Sequence, residues 1–317
     1  MRIGIGLWCL QSTATAPRPF PRAYKELIED AQLAERVGLD SLWLSEHHGY
    51  YDGYCPALLP VASAVLNATT RLRVGTGVLL LPLHTPERVA ACAADLHHES
   101  GARFELSMGM GYRPIEFAAK DMKMSERRER MERGLEVLEA SVADGGPPLW
   151  VGVTSVAGAR RAGRHGLGLF ISGAFAKKVA DQFIDAHREA WIKAGEPGGK
   201  PPPVGLLRNL WVVDSEAQRR RAVQWVRSSY LVYAGLGWGA ADTGVDFAHQ
   251  IEASMDEVEA SSTVGNVNEV VDGLAAYDNV ELIVCRIGYD EPPHEALSEL
   301  IERIGTEVAP QLAGVGR

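Results

Sequence analysis

Glu46, His47 and His48 stand together where an apolar run gives out. The stretch Ser41–Tyr51 reads SLWLSEHHGYY. Its Leu- and Trp-rich first half predicts a short buried strand over 41–45. A carboxylate beside two imidazoles can take up, hold and release protons near neutral pH. In α/β folds the C-terminal ends of strands are where such chemistry is placed. Taken alone, a strand-end histidine pair is more often a hydrogen-bonded structural element than a catalyst.

Other segments could serve a ligand. Gly109-Met110-Gly111 follows a predicted strand; it is a tight turn, or backbone that approaches a flat or phosphorylated molecule. It lacks the spacing of a dinucleotide fingerprint. Gly152-Val153-Thr154-Ser155 ends a strand and opens a helix, where exposed N–H groups and the helix dipole suit a phosphate. Ser155 is also a natural N-cap, which by itself would explain it. Arg127, Arg128 and Arg130 sit among glutamates, as exposed ion pairs or as a reach toward an anionic group. Arg160, Arg161 and Arg164 read as surface charges. His97 and His98 lie inside a helical pattern and read as structural, and no metal-ligand spacing is present.

The elements that must position these residues alternate. Strands are predicted over 2–8, 41–45, 72–81, 103–108, 149–152, 166–171, 204–213 and 281–287. Helices are predicted over 22–37, 56–68, 85–99, 125–142, 156–164, 177–194, 215–233, 266–277 and 294–312. Eight strands interleaved with helices in one domain over 1–317 read as a (β/α)8 barrel, with a doubly wound sheet as the runner-up. Residues 234–262 break the rhythm with glycines and an acidic polar stretch, and are expected to form a mobile lid.

Composition narrows the function. A net charge of −9 and the lack of a basic tract argue against nucleic acid as partner. The four cysteines are scattered, which suits a reducing cytoplasm. No apolar run reaches the ~18 residues of a membrane span, and the N-terminus does not read as a signal peptide.

Several segments, in order, resemble the bacterial-luciferase-like flavin-dependent monooxygenase family. They are AERVGLDSLWLSEHH and PALLPVASAVLNATTRLRVGTGVLLLPLHTPERV within 34–89, SGARFELSMGMGYRPIEF at 100–117, and PLWVGVTSVAGARRAGRHGLG at 148–168. The resemblance spans nearly the whole chain and implies a (β/α)8 barrel with reduced flavin at the strand C-termini. It makes His47 the catalytic histidine, with Glu46 to orient it or tune its pKa. Gly77 and Val78 correspond to a bulge beneath the flavin ring, often a non-proline cis peptide. Met108, Gly109, Met110, Gly111 and Tyr112 would line the flavin, and Thr154, Ser155 and Val156 its phosphate, with Arg127 assisting. Glu-His-His resembles the FMN branch; members using the deazaflavin coenzyme F420 typically carry Asp-His there. The implied activity is a two-component monooxygenase that takes reduced FMN from an external flavin reductase and oxygenates a small-molecule substrate. The alternatives are an F420-dependent dehydrogenase or reductase, and a non-catalytic flavin-binding subunit. The family often forms dimers, so a homodimer is expected. Two positions depart from the family pattern: His97, expected to alter packing, and Ser107, expected near the flavin.

Overall fold

The computed structural model describes residues 1–8, 17–49, 55–142, 145–171, 175–235, 259, 262–287 and 291–314. Most of the expected lid lies outside these residues.

Parallel strands close into a barrel. They are β1 (Arg2–Trp8), β2 (Ser41–Leu44), β3 (Arg73–Thr76), β5 (Phe104–Gly109), β6 (Leu149–Val153), β7 (Gly168–Ile171), β8 (Val204–Val212) and β10 (Leu282–Arg286). Each pairs with the next in that order, and β10 pairs with both β8 and β1, which closes the ring. The closure excludes the doubly wound sheet. Two short strands lie off the ring: β4 (Leu79–Leu80) beside β5, and β9 (Thr263–Gly265) beside β8.

The outer layer includes α1 (Phe20–Arg36), α2 (Leu58–Ala68), α3 (Pro86–Glu99), α5 (Arg127–Val142), α6 (Val156–Arg164), α7 (Lys177–Lys193) and α8 (Glu216–Gly235). A short helix, α4 (Pro114–Ala118), was not expected from the sequence. Proline in the first turn of α1, α3 and α4 presets φ where no N–H partner is needed. A capping box between Asn266 and Glu269 starts Val267–Ala275. The predicted last helix continues past Arg303 as a π-helical stretch over Ile304–Val308. Among the described residues no helix is long and apolar enough to cross a membrane.

Strand alternation sorts side chains into two cores. Ile3, Ile5, Leu42, Leu44, Leu106 and Met108 face outward into the core shared with the helices. Trp43, Trp150, Phe170, Leu207, Leu282 and Val284 fill the barrel lumen. There Trp43 stacks on Phe170 with centroids 5.0 Å apart and meets Trp150 edge-on at 6.3 Å. Gly75 and Gly168 make room, because a Cβ at either would strike a tryptophan ring. At the strands' N-terminal end Arg2 pairs with Asp40 and Glu105, and Trp150 Nε1 donates to Glu105 Oε2 at 3.0 Å. Packing and ion pairs thus close the lumen below. The C-terminal mouth is open.

The strand predicted over 72–81 is two strands. Between β3 and β4 the Gly77–Val78 peptide is cis, as is Gly6–Leu7. Gly77 N–H donates to Leu44 O at 2.6 Å, and Val78 faces the mouth of the barrel.

Candidate active site

The C-terminal mouth holds a cleft of about 1210 Å³, part of it open to solvent. Its lining includes Glu46, His47, Gly77, Val78, Gly109, Met110, Gly111, Tyr112, Arg127, Thr154 and Ser155, all anticipated. Met108 is not among them. Alternation turns its side chain outward to the helix core. Val156 is absent from the lining as well, and opens α6 as its first residue. Ser107 does not line the cleft either: it is buried, and its N–H donates to Thr76 Oγ1 at 2.7 Å. His97 is structural, its Nδ1 bonded to Phe104 O at 2.9 Å.

The floor of the cleft is Val78. Its methyl groups occupy the space that a Cβ at Gly109 or Gly152 would need. Both glycines therefore follow from close packing against one side chain.

On one wall stands His47, 5% exposed. Its Nδ1 lies 2.9 Å from Glu116 Oε1, which also accepts the His48 backbone N–H at 2.9 Å. Arg113 Nη1 lies 3.5 Å from the same oxygen. An acceptor-only carboxylate makes His47 Nδ1 the donor, so Nε2 of the neutral ring carries the lone pair. Tyr112 Oη lies 3.4 Å from that Nε2, with the rings edge-on at 5.4 Å. The αL turn at Gly111, φ +72°, brings the tyrosine there.

Glu46 does not orient His47. Its Oε1 accepts from His48 Nε2 at 2.6 Å and His84 Nε2 at 2.7 Å, and its Oε2 accepts Leu80 N–H at 2.7 Å. Burial pushes this carboxyl up, but the two imidazoles and the amide more than offset it and hold it at about 2. The three ligand atoms lie within 4.8 Å of one another. The three side chains converge without any metal-ligand spacing in the sequence, and the two rings hydrogen-bond the carboxylate.

A stability prediction follows from Glu46. Its folded-state value is depressed from 4.5, so its contribution is complete above pH 4.5 and disappears as pH falls toward 2. The shift corresponds to roughly 3 kcal/mol. Thermal melts of Glu46→Gln should show a shallower loss of Tm across this window than the parent protein. Parallel acid limbs would contradict the assignment.

At the other end of the cleft lies the start of α6. Ser155 Oγ accepts Gly158 N–H at 3.2 Å, as expected of an N-cap, and the helix's preceding N–H groups have no acceptor within the helix. Arg127 is the arginine of its group that reaches the cleft; its Nη1 lies 3.4 Å from Gly111 O. Arg161, read from sequence as a surface charge, also lines the cleft and pairs with Glu132 at 2.7 Å. Sequence reasoning missed Arg161, Glu116, His84 and Arg286.

The sequence profile of luciferase-like monooxygenases matches residues 1–282. The chain belongs to this family. The recognition drawn from the sequence segments is borne out, and so is the oxidoreductase class. The chain is 30% identical over 300 residues to 4-hydroxyprotoasukamycin monooxygenase of Streptomyces nodosus subsp. asukaensis, covering 89% of this chain and 72% of that one. The fold matches the oxygenating constituent of 3,6-diketocamphane monooxygenase of Pseudomonas putida, solved with FMN, at TM-score 0.78, 17% identity and full coverage of both chains. It also matches an F420-dependent secondary alcohol dehydrogenase at TM-score 0.76, 18% identity and 98% coverage of both.

The site fits a flavin mononucleotide. The floor at Val78 is apolar, packed against Gly109 and Gly152, and offers a planar ring an apolar face. The α6 N-terminus and Arg161 supply the donors and positive charge that a phosphate needs.

Proposed function

We propose that this protein is the oxygenase component of a two-component monooxygenase. It takes reduced FMN from a separate flavin reductase and uses O2 to oxygenate a small organic substrate. The observation that carries the reading is one continuous cleft with a phosphate-suited helix start at one end and the His47–Glu116 pair at the other. Thr154, Ser155, the first N–H groups of α6, Arg161 and Arg127 hold the phosphate end. Val78 and the Gly109–Tyr112 backbone support the ring. When bound, reduced FMN supplies the electrons and the reactivity toward oxygen.

The chain's own residues do the rest. Glu116 keeps His47 in the tautomer whose Nε2 faces the cleft. His47 Nε2 accepts a proton at the reacting centre and returns it, with Tyr112 Oη beside it. The buried walls keep bulk water away. Glu46 holds His48, His84 and the start of β4 in place rather than moving protons with His47. The family resemblance adds a homodimer to this reading, and the scattered cysteines a reducing cytoplasm.

Hydride transfer with F420 is the second reading, favoured by the likeness to the secondary alcohol dehydrogenase. The phosphate assignment is tested by titrating the protein anaerobically with reduced FMN and reduced riboflavin. FMN should bind at least about tenfold more tightly. Arg161→Gln should erase much of that margin and leave riboflavin binding unchanged. Equal binding of the two flavins by the parent protein would sink the assignment.

A further inference from the structure

Arg286 ends β10 on the lumen face. Leu282 and Val284 belong to the lumen cluster with Trp43 and Phe170, whereas Ile283, Cys285 and Ile287 face the helix core. Arg286 continues the Leu282–Val284 face one step toward the open mouth. It lines the cleft and is 7% exposed.

Its place in the ring separates it from the elements assigned to the flavin. Those elements are the ends of β5 and β6, the start of α6, and Val78 after β3. Going round the barrel, β10 lies between β8 and β1, with β7 and β8 between it and β6. The wall there is Leu7 from β1, Leu207 from β8 and Arg286, with Phe170 from β7 next to it. Among the described residues it is apolar except for the Arg286 guanidinium. A guanidinium carries five N–H donors in a planar fork, enough to serve the protein and a bidentate ligand at once.

We propose that Arg286 recognises the substrate, and that the substrate is a small organic anion, a carboxylate on an apolar and preferably planar body. The carboxylate meets the Arg286 fork, and the body lies along Leu7, Leu207 and Phe170. This fixes one end of the substrate and leaves the other directed at the part of the cleft lined by His47 and Tyr112. The proposal rests on the flavin reading, because it assigns to substrate the wall that the flavin leaves open.

The test uses matched probes. Protein saturated anaerobically with reduced FMN is titrated calorimetrically with benzoate against benzamide and with 2-naphthoate against 2-naphthamide. Each carboxylate should bind about tenfold or more tightly than its amide. Arg286→Gln should abolish the difference, Arg286→Lys should keep part of it, and both variants should bind reduced FMN within about threefold of the parent. Equal affinity within each pair overturns the proposal, as does the absence of carboxylate binding or a preference that survives in Arg286→Gln. A matching loss of FMN affinity in Arg286→Gln also overturns it, by making Arg286 a cofactor residue. Reduced FMN binding is measured first, so failure of the flavin reading shows before any probe is added. In that case the same pairs are titrated into the protein alone, where the same preference is expected.

Discussion

Replacing His47 by Asn should cut oxygenation turnover by about 10²–10⁴-fold while leaving the Kd for reduced FMN within a few-fold. The imidazole lines the cleft, with its Nε2 beside Tyr112 Oη and its Nδ1 on Glu116. Asn keeps approximate size and polarity but cannot exchange a proton near neutral pH. Its Nδ1 partner, Glu116, is buried on the far side of the ring, so the cofactor's supports on β5, β6 and α6 are untouched. The assay supplies reduced FMN through an added flavin reductase and follows incorporation of labelled O2 into a surrogate set. The set comprises an aliphatic aldehyde, a cyclic ketone and an aromatic carboxylate. Loss of FMN binding with undiminished turnover per bound flavin would reassign His47 to cofactor binding.

Glu116→Gln should lower kcat by roughly 10–100-fold with little change in KM. The amide can still fill the space but can present its NH2 toward His47 Nδ1, which favours the wrong tautomer. Glu116 Oε1 also accepts the His48 N–H, so the carboxylate fixes both the ring and the backbone that carries it. Because the two residues act as a unit, the double variant with His47→Asn should cost no more than His47→Asn alone. Additive losses would show that Glu116 acts separately from the histidine.

Much of the barrel was legible because its signals are local. β1 and α6 match their predicted bounds to the residue, since a short alternating or helical stretch between clear breakers determines each. The break within 72–81 was marked by the family resemblance, as a bulge at Gly77–Val78, and not by the residue types, because Val78 is apolar whether it continues a strand or turns into a cleft. In the site, backbone-dominated features were readable: the glycine turn, the α6 start and the Val78 floor. Side-chain pairings were not. His47 takes Glu116, far along the chain, rather than its neighbour Glu46, because adjacent residues at a strand end point in different directions. Alternation also decided Met108, which faces the helix core, and Arg286, which lines the cleft. Counting alternate positions back from Arg286 would have placed it on the face of Leu282 and Val284 from sequence alone. Arg161 gave no such signal, since one arginine among three on a charged helix face carries nothing that singles it out.

The cleft is proposed as a reduced-FMN site serving oxygen chemistry. The most direct measurement is an anaerobic titration of the purified protein with reduced FMN and, separately, with reduced F420, followed by exposure of each complex to O2. Reduced FMN should bind tightly, F420 weakly or not at all, and oxygen should be consumed with product formed from the surrogate set. Tight binding of F420 alone, with no oxygen consumed, would contradict this reading and assign the protein to hydride transfer.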